Sequence, residues 1–154
     1  MRNVILGLIV LVGVYLAPLS VCAQPSMSEM TNCYKKMMAF RQDLLDLGKY
    51  SQGLDDWTIA IGLGNVAKEY AIKTNHLQDL LLILTLIRND DVRNFAQTVV
   101  DLRMKHTAKG IDSALEEVNI HISHSRSNAI VSTGNQMKTE LRRLQELLSP
   151  VSGK

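Results

Sequence analysis

Proline is scarce in this chain, and none occurs between Pro25 and Pro150. Because proline breaks helix interiors and removes a backbone donor, its absence leaves that stretch free to form long helices. Valine, isoleucine and threonine never alternate with polar residues in a sustained period of two, so strands are not indicated. We therefore predict an all-α fold.

Cysteine is equally scarce, and the first of the two lies in a segment that we expect to be removed. A positive start and an apolar run over residues 4–16 are followed by small residues that end at Ala23. This order is typical of a signal peptide. We predict a signal peptide over residues 1–23 and a single helical domain over residues 24–154. The alternatives are an uncleaved anchor helix and lipidation of Cys22.

The mature part would then carry one cysteine, Cys33, which excludes an internal disulfide framework. The chain also lacks any asparagine with serine or threonine two places on, so it has no acceptor for N-glycosylation. An exported chain of this composition fits a periplasmic or secreted bacterial protein, with cleavage after Ala23.

A charge excess of one sign is missing too, because 17 basic residues are interspersed with 15 acidic ones. A nucleic-acid surface would need basic residues clustered on one face, so we expect no nucleic acid partner. Gly-rich phosphate loops, serine nucleophile elbows and His-Glu-x-x-His helices are absent as well. We therefore expect the protein not to be an enzyme.

Heptad seams, in which apolar residues recur at alternating steps of three and four, dominate what is present. Polar breaks at residues 51–53, 89–91 and 123–128 divide the mature chain into helices of about 24, 34, 34 and 21 residues. Four such helices predict an up-and-down bundle. If residues 123–128 stay helical, the product is an elongated three-helix rod.

Two stretches of these helices stand out. Residues 80–87 are apolar on every side, which predicts burial. The run is too short to span a bilayer, so we expect no stable membrane span once the signal peptide is cleaved. The third predicted helix has a seam that slips near His106, so the helix either unwinds there or restarts after Gly110. The two parts of that seam are Val92, Phe95, Val99 and Leu102, then Ala108, Ile111, Leu115, Val118 and Ile122.

Glu117, His121 and His124 have a spacing that puts them on one helix face, where they are candidate ligands of a metal ion. The alternative is two polar histidines near a helix end, where positive charge suits the helix dipole. Noncovalent haem would need Met30 or Met37 to face His121, although methionine at heptad positions is more often core filler. We expect no cofactor.

The expected function is that of a non-catalytic interaction or structural module of the bacterial envelope. Its partner would be another protein or a second copy, bound through an apolar helix face. Cys33 is a candidate for a disulfide between two copies, because it lies near the mature N-terminus. The competing hypothesis is a periplasmic carrier or sensor that binds a small ligand, haem or a metal ion in the bundle core.

Overall fold

The computed structural model describes residues 25–51 and 53–149. Within these ranges the chain forms four helices and no strand. They are α1 (Met27–Lys49), α2 (Leu54–Leu86), α3 (Asp90–His124) and α4 (Asn128–Leu148). Each helix packs on the next, and α4 packs back on α1. The prediction of an all-α, up-and-down four-helix bundle is therefore confirmed. The predicted signal peptide lies outside the described residues.

Side-chain caps mark the two predicted polar breaks on either side of α3. The Asn89 side chain accepts a hydrogen bond from the backbone N–H of Val92 at 3.0 Å, which satisfies a free donor in the first turn of α3. The Ser127 hydroxyl accepts one from the N–H of Ile130 at 3.4 Å and caps α4. Because the chain turns between α3 and α4, the three-helix rod is excluded.

Asp56 connects the first turn of α2 to the turn between α3 and α4. Its Oδ1 accepts hydrogen bonds from the Ser125 hydroxyl at 2.7 Å and from the Arg126 backbone N–H at 3.0 Å. These bonds, led by the one from Ser125, hold the pKa of the Asp56 carboxyl below its usual range. A charge-assisted contact thus fixes the start of α2 to the α3–α4 turn.

Two glycines let neighbouring helices approach closely. A Cβ atom added to Gly62 would lie 2.5 Å from Cε1 of His121, so the imidazole ring of α3 rests directly on the backbone of α2. A Cβ atom added to Gly134 would lie 2.5 Å from Cγ2 of Ile122, which places that side chain against α4. Both contacts use the absence of a side chain to bring α3 against its neighbours.

The two central helices are much longer than the outer two. Helices α2 and α3 have 33 and 35 residues, whereas α1 and α4 have 23 and 21. Gln78 donates a hydrogen bond to the Met27 carbonyl at 3.3 Å, and Gln145 donates one to the Ala108 carbonyl at 3.3 Å. The start of α1 and the end of α4 therefore leave the tip of the α2–α3 hairpin uncovered. The first 14 residues of α3 correspond to about 20 Å of helix.

The prediction that residues 80–87 are buried on every side is wrong for this reason. Leu81 and Leu84 lie in the core, but Leu82 and Ile83 are each 53% exposed and Leu86 is 71% exposed. The inner face of this segment packs, while its outer face has no further helix against it. Within the described ranges, no helix is long and apolar enough to cross a membrane.

The predicted core seam at the start of α3 also faces outwards. Phe95 and Leu102 are 72% and 67% exposed, whereas Val100 is 2% exposed and Ile111 is fully buried. The helix runs without interruption past His106 and Gly110. The apparent slip in the sequence is therefore the point at which the stripe of apolar residues changes from the outward face of the helix to its inward face. The predicted unwinding or restart was wrong.

Candidate interaction surface

Seven exposed apolar side chains surround the tip of the α2–α3 hairpin. Their exposed fractions lie between 37% and 72%. We call this set the hairpin surface, and its members are Leu82, Ile83, Leu86, Val92, Phe95, Val99 and Leu102. If a fully exposed side chain of this kind presents roughly 100 Å², the set leaves on the order of 400 Å² of apolar area in water. The largest apolar patch on a typical monomer is about 300–600 Å² and is often functional.

A groove of about 430 Å³ runs between α2 and α3 beside this surface. Leu77, Leu80 and Val99 supply much of its apolar lining, and Lys73 and Arg103 are among its charged residues. Val99 belongs to the hairpin surface as well as to the groove. The exposed stripe of α3 is therefore continuous with a concave apolar feature, which gives an incoming side chain a place to pack.

The hairpin turn beneath this surface is held by its own hydrogen bonds. Nε of Arg93 donates to the Ile87 carbonyl at 3.0 Å, and its Nη2 donates to the same oxygen. Arg93 also lies 3.8 Å from the Asp90 carboxylate, while Asn89 caps α3. The apolar side chains thus project from the end of α2 and the beginning of α3, which a braced turn joins.

The opposite end of the bundle exposes a smaller apolar group around the α1–α2 turn. Its members are Tyr50, Leu54 and Trp57, which are 85%, 76% and 45% exposed. Tyrosine and tryptophan carry a polar group that remains hydrated in such a position. The side chains of the hairpin surface lack such groups, so covering them with a partner would gain more hydrophobic free energy.

The structure brings two of the three candidate metal ligands together. His121 Nε2 lies 3.8 Å from Glu117 Oε1, and the imidazole ring covers Gly62. His124 instead directs its Nδ1 to the Ile120 carbonyl of its own helix, at 2.7 Å. In residues 25–51 and 53–149, no three His, Cys, Asp or Glu side chains form a cluster that would hold a metal ion.

The haem alternative requires a methionine opposite His121, and the helix register does not provide one. Thr31, the neighbour of Met30, bonds to Gln78, whereas His121 rests on Gly62, about 24 Å farther along α2. By the same register Met37 lies level with Ile72, which is still about 15 Å from Gly62 along α2. Both methionines fill space between helices.

Cys33 lies in the core and is 1% exposed. Burial, with the nearby Glu140 carboxylate as a second cause, raises the pKa of the Cys33 thiol to about 12. Glu140 is itself 5% exposed and accepts a hydrogen bond from Lys36 at 2.8 Å through Oε2. Its other carboxylate oxygen has no hydrogen-bond partner in the part of the chain described here. A disulfide from Cys33 to a second copy would require α1 to leave the bundle.

No protein-family model, curated protein sequence or solved structure matches the chain.

Sequence reasoning missed the hairpin surface because periodicity identifies an apolar face without showing what covers it. The signal that would have revealed it is the mismatch in helix lengths. Two inner helices that are each about ten residues longer than the outer two must project by about 15 Å at one end or share the excess between both ends.

Proposed function

We propose that this protein is an exported, non-catalytic helical bundle of the bacterial envelope that binds another protein through the hairpin surface. The observation that carries the proposal is the exposure of seven apolar side chains at the end of α2 and the beginning of α3. Together these side chains expose on the order of 400 Å², about half of one side of a standard protein interface, so polar residues around them would have to supply the remainder. Phe95 is its largest member and the natural anchor.

The absence of a catalytic role is proposed on the chemistry of the thiol and the carboxylates. A cysteine nucleophile needs a lowered pKa, whereas burial raises the pKa of Cys33 to about 12. Asp56, an acid at a helix start, is engaged in tying the α3–α4 turn to α2. These groups have structural partners that explain them without proton transfer to a substrate.

Export is proposed from the order of residues before Gln24. Mass spectrometry of the protein from its native cells should find an N-terminus at Gln24. Recovery of intact Met1, or of a lipid on Cys22, would contradict the proposal of a cleaved leader and favour a tethered protein.

Site-specific photo-cross-linking in cells tests the proposed surface. A photoreactive residue at position 95 should give a discrete cross-linked product, because Phe95 projects from the proposed interface. The matched control is position 120, since Ile120 is 55% exposed on the same helix but lies near its other end. Equal cross-linking from both positions, or none from position 95, would contradict the proposal.

A further inference from the structure

The outward stripe of α3 has the spacing of a coiled-coil seam. Val92, Phe95, Val99 and Leu102 follow one another at steps of three, four and three. All four are exposed, while the inward stripe, which includes Val100, packs in the bundle. A seam of this kind packs well against another helix, because each apolar side chain then fits between residues of the facing helix.

We infer that the occupant of this seam is the same seam of a second copy, with the two α3 helices antiparallel. The inference rests on the proposed function, because it names the partner of the same surface. In this arrangement Val92 lies against Leu102 of the second copy, and Phe95 lies against its Val99. Twofold symmetry repeats both contacts, as an isologous dimer requires.

The charges beside the seam favour the antiparallel arrangement. Asp91 and Lys105 lie on the same flank of the seam, two heptads apart, and Thr98 is midway between them. All three are exposed, and neither charged residue forms an ion pair within residues 25–51 and 53–149. In an antiparallel pair this flank faces itself, so Asp91 approaches Lys105 of the second copy and the reverse contact forms by symmetry.

A parallel pair lacks this complementarity. The flank that carries Asp91 would then face the other flank of the second copy, which carries Ala96 and Arg103. Asp91 would lie beside Ala96, and Thr98 would lie beside Arg103, so no pair of opposite charges forms. Ala96 is also small enough to let the two helices approach closely in the antiparallel arrangement.

The geometry of the tip leaves room for this contact. Because α1 begins at the level of Gln78 and α4 ends below the tip, neither outer helix stands in front of the seam. The four seam residues of the two copies would together bury on the order of 450 Å² of apolar area. Stable interfaces bury about 1,200–2,000 Å² in total once their polar rim is included. The expected dimer is therefore weak and dependent on concentration.

Sedimentation velocity of the purified full chain, from low micromolar to near-millimolar concentration, tests the inference. We expect a reversible monomer–dimer equilibrium. Asp91→Lys and Lys105→Asp should each weaken the dimer about fivefold, because each places like charges together twice. The double variant should restore the original affinity. Phe95→Ser should give a monomer, and the matched control Ile120→Ser should not change the equilibrium.

The outcomes separate this inference from the proposed function. A chain that stays monomeric throughout, or a dimer insensitive to both charge reversals, overturns antiparallel self-pairing. If the monomeric chain still cross-links from position 95 to a different protein in cells, the proposed function stands and only the identity of the partner was wrong. A monomer that gives no product from position 95 refutes both.

Discussion

Replacing Phe95 and Val100 separately by alanine distinguishes the outward stripe of α3 from the inward one. Val100→Ala removes two buried methyl groups, each worth about 0.8 kcal/mol, and leaves a small cavity. The higher helix propensity of alanine offsets about 0.5 kcal/mol of this loss in stability. Since Val100 is 2% exposed, we expect a net loss of about 1.5–2 kcal/mol in the free energy of unfolding.

The same calculation for Phe95→Ala gives a result close to zero. Phe95 is 72% exposed, so little more than a quarter of its side chain gains from burial. That fraction is worth less than about 1 kcal/mol, and the gain in helix propensity offsets much of it. The expected change in the free energy of unfolding is within about 0.5 kcal/mol.

Urea unfolding followed by far-ultraviolet circular dichroism measures both changes. The protein should be at low micromolar concentration, so that self-association adds little to the stability of the folded state. We expect the midpoint of Val100→Ala to fall while the slope stays constant, and the midpoint of Phe95→Ala to stay near that of the parent chain. A loss for Phe95→Ala as large as that for Val100→Ala would refute the assignment of the two stripes.

Three further predictions follow from burial and from the pKa directions. Leu84→Asp should unfold the domain because it buries an unpaired charge, at a cost of several kcal/mol, whereas Leu82→Asp should fold normally; a folded Leu84→Asp chain by circular dichroism would contradict the packing of this segment. The Cys33 thiol should stay unreactive towards a thiol reagent at mildly alkaline pH until denaturant is added, and rapid native labelling would show that α1 opens. Because Asp56 has a lowered pKa in the folded chain, its contribution to stability is present at neutral pH and should be lost as the pH falls through that pKa. Asp56→Asn should remove this part of the acid sensitivity of thermal unfolding, and an unchanged pH profile would contradict the role of the contact with Ser125.

The number of helices and the turns between them could be predicted from local sequence. The polar break at residues 89–91 contains the turn before α3, and the Asn89 side chain caps that helix in the structure. The polar residues at 123–128 likewise contain the turn, which Ser127 closes by capping α4. These features depend on a few adjacent residues, so they can be recognised without knowledge of the partner helices.

The mismatch in helix lengths indicates an uncovered end, but the side chains exposed there could not be predicted in the same way, because exposure depends on helices that are distant in sequence. Leu82 and Leu84 are both leucines in one apolar run, yet one faces water and the other faces the core. The difference arises because residues two apart in a helix face nearly opposite sides, and the side that carries Leu82 has no other helix against it. Similarly, the spacing of His121 and His124 was compatible with shared metal binding, but His124 bonds to its own backbone instead.

The most direct test of the central claim is the protection of the hairpin surface in the cells that make the protein. Phe95→Cys and Ile120→Cys introduce thiols at two exposed positions of α3, while Cys33 stays buried and unreactive. In dilute purified protein, a maleimide should label both new thiols. In those cells, the thiol at position 95 should be protected while the thiol at position 120 is labelled. Rapid labelling of both in the cells would contradict the claim that the hairpin surface is covered by a partner.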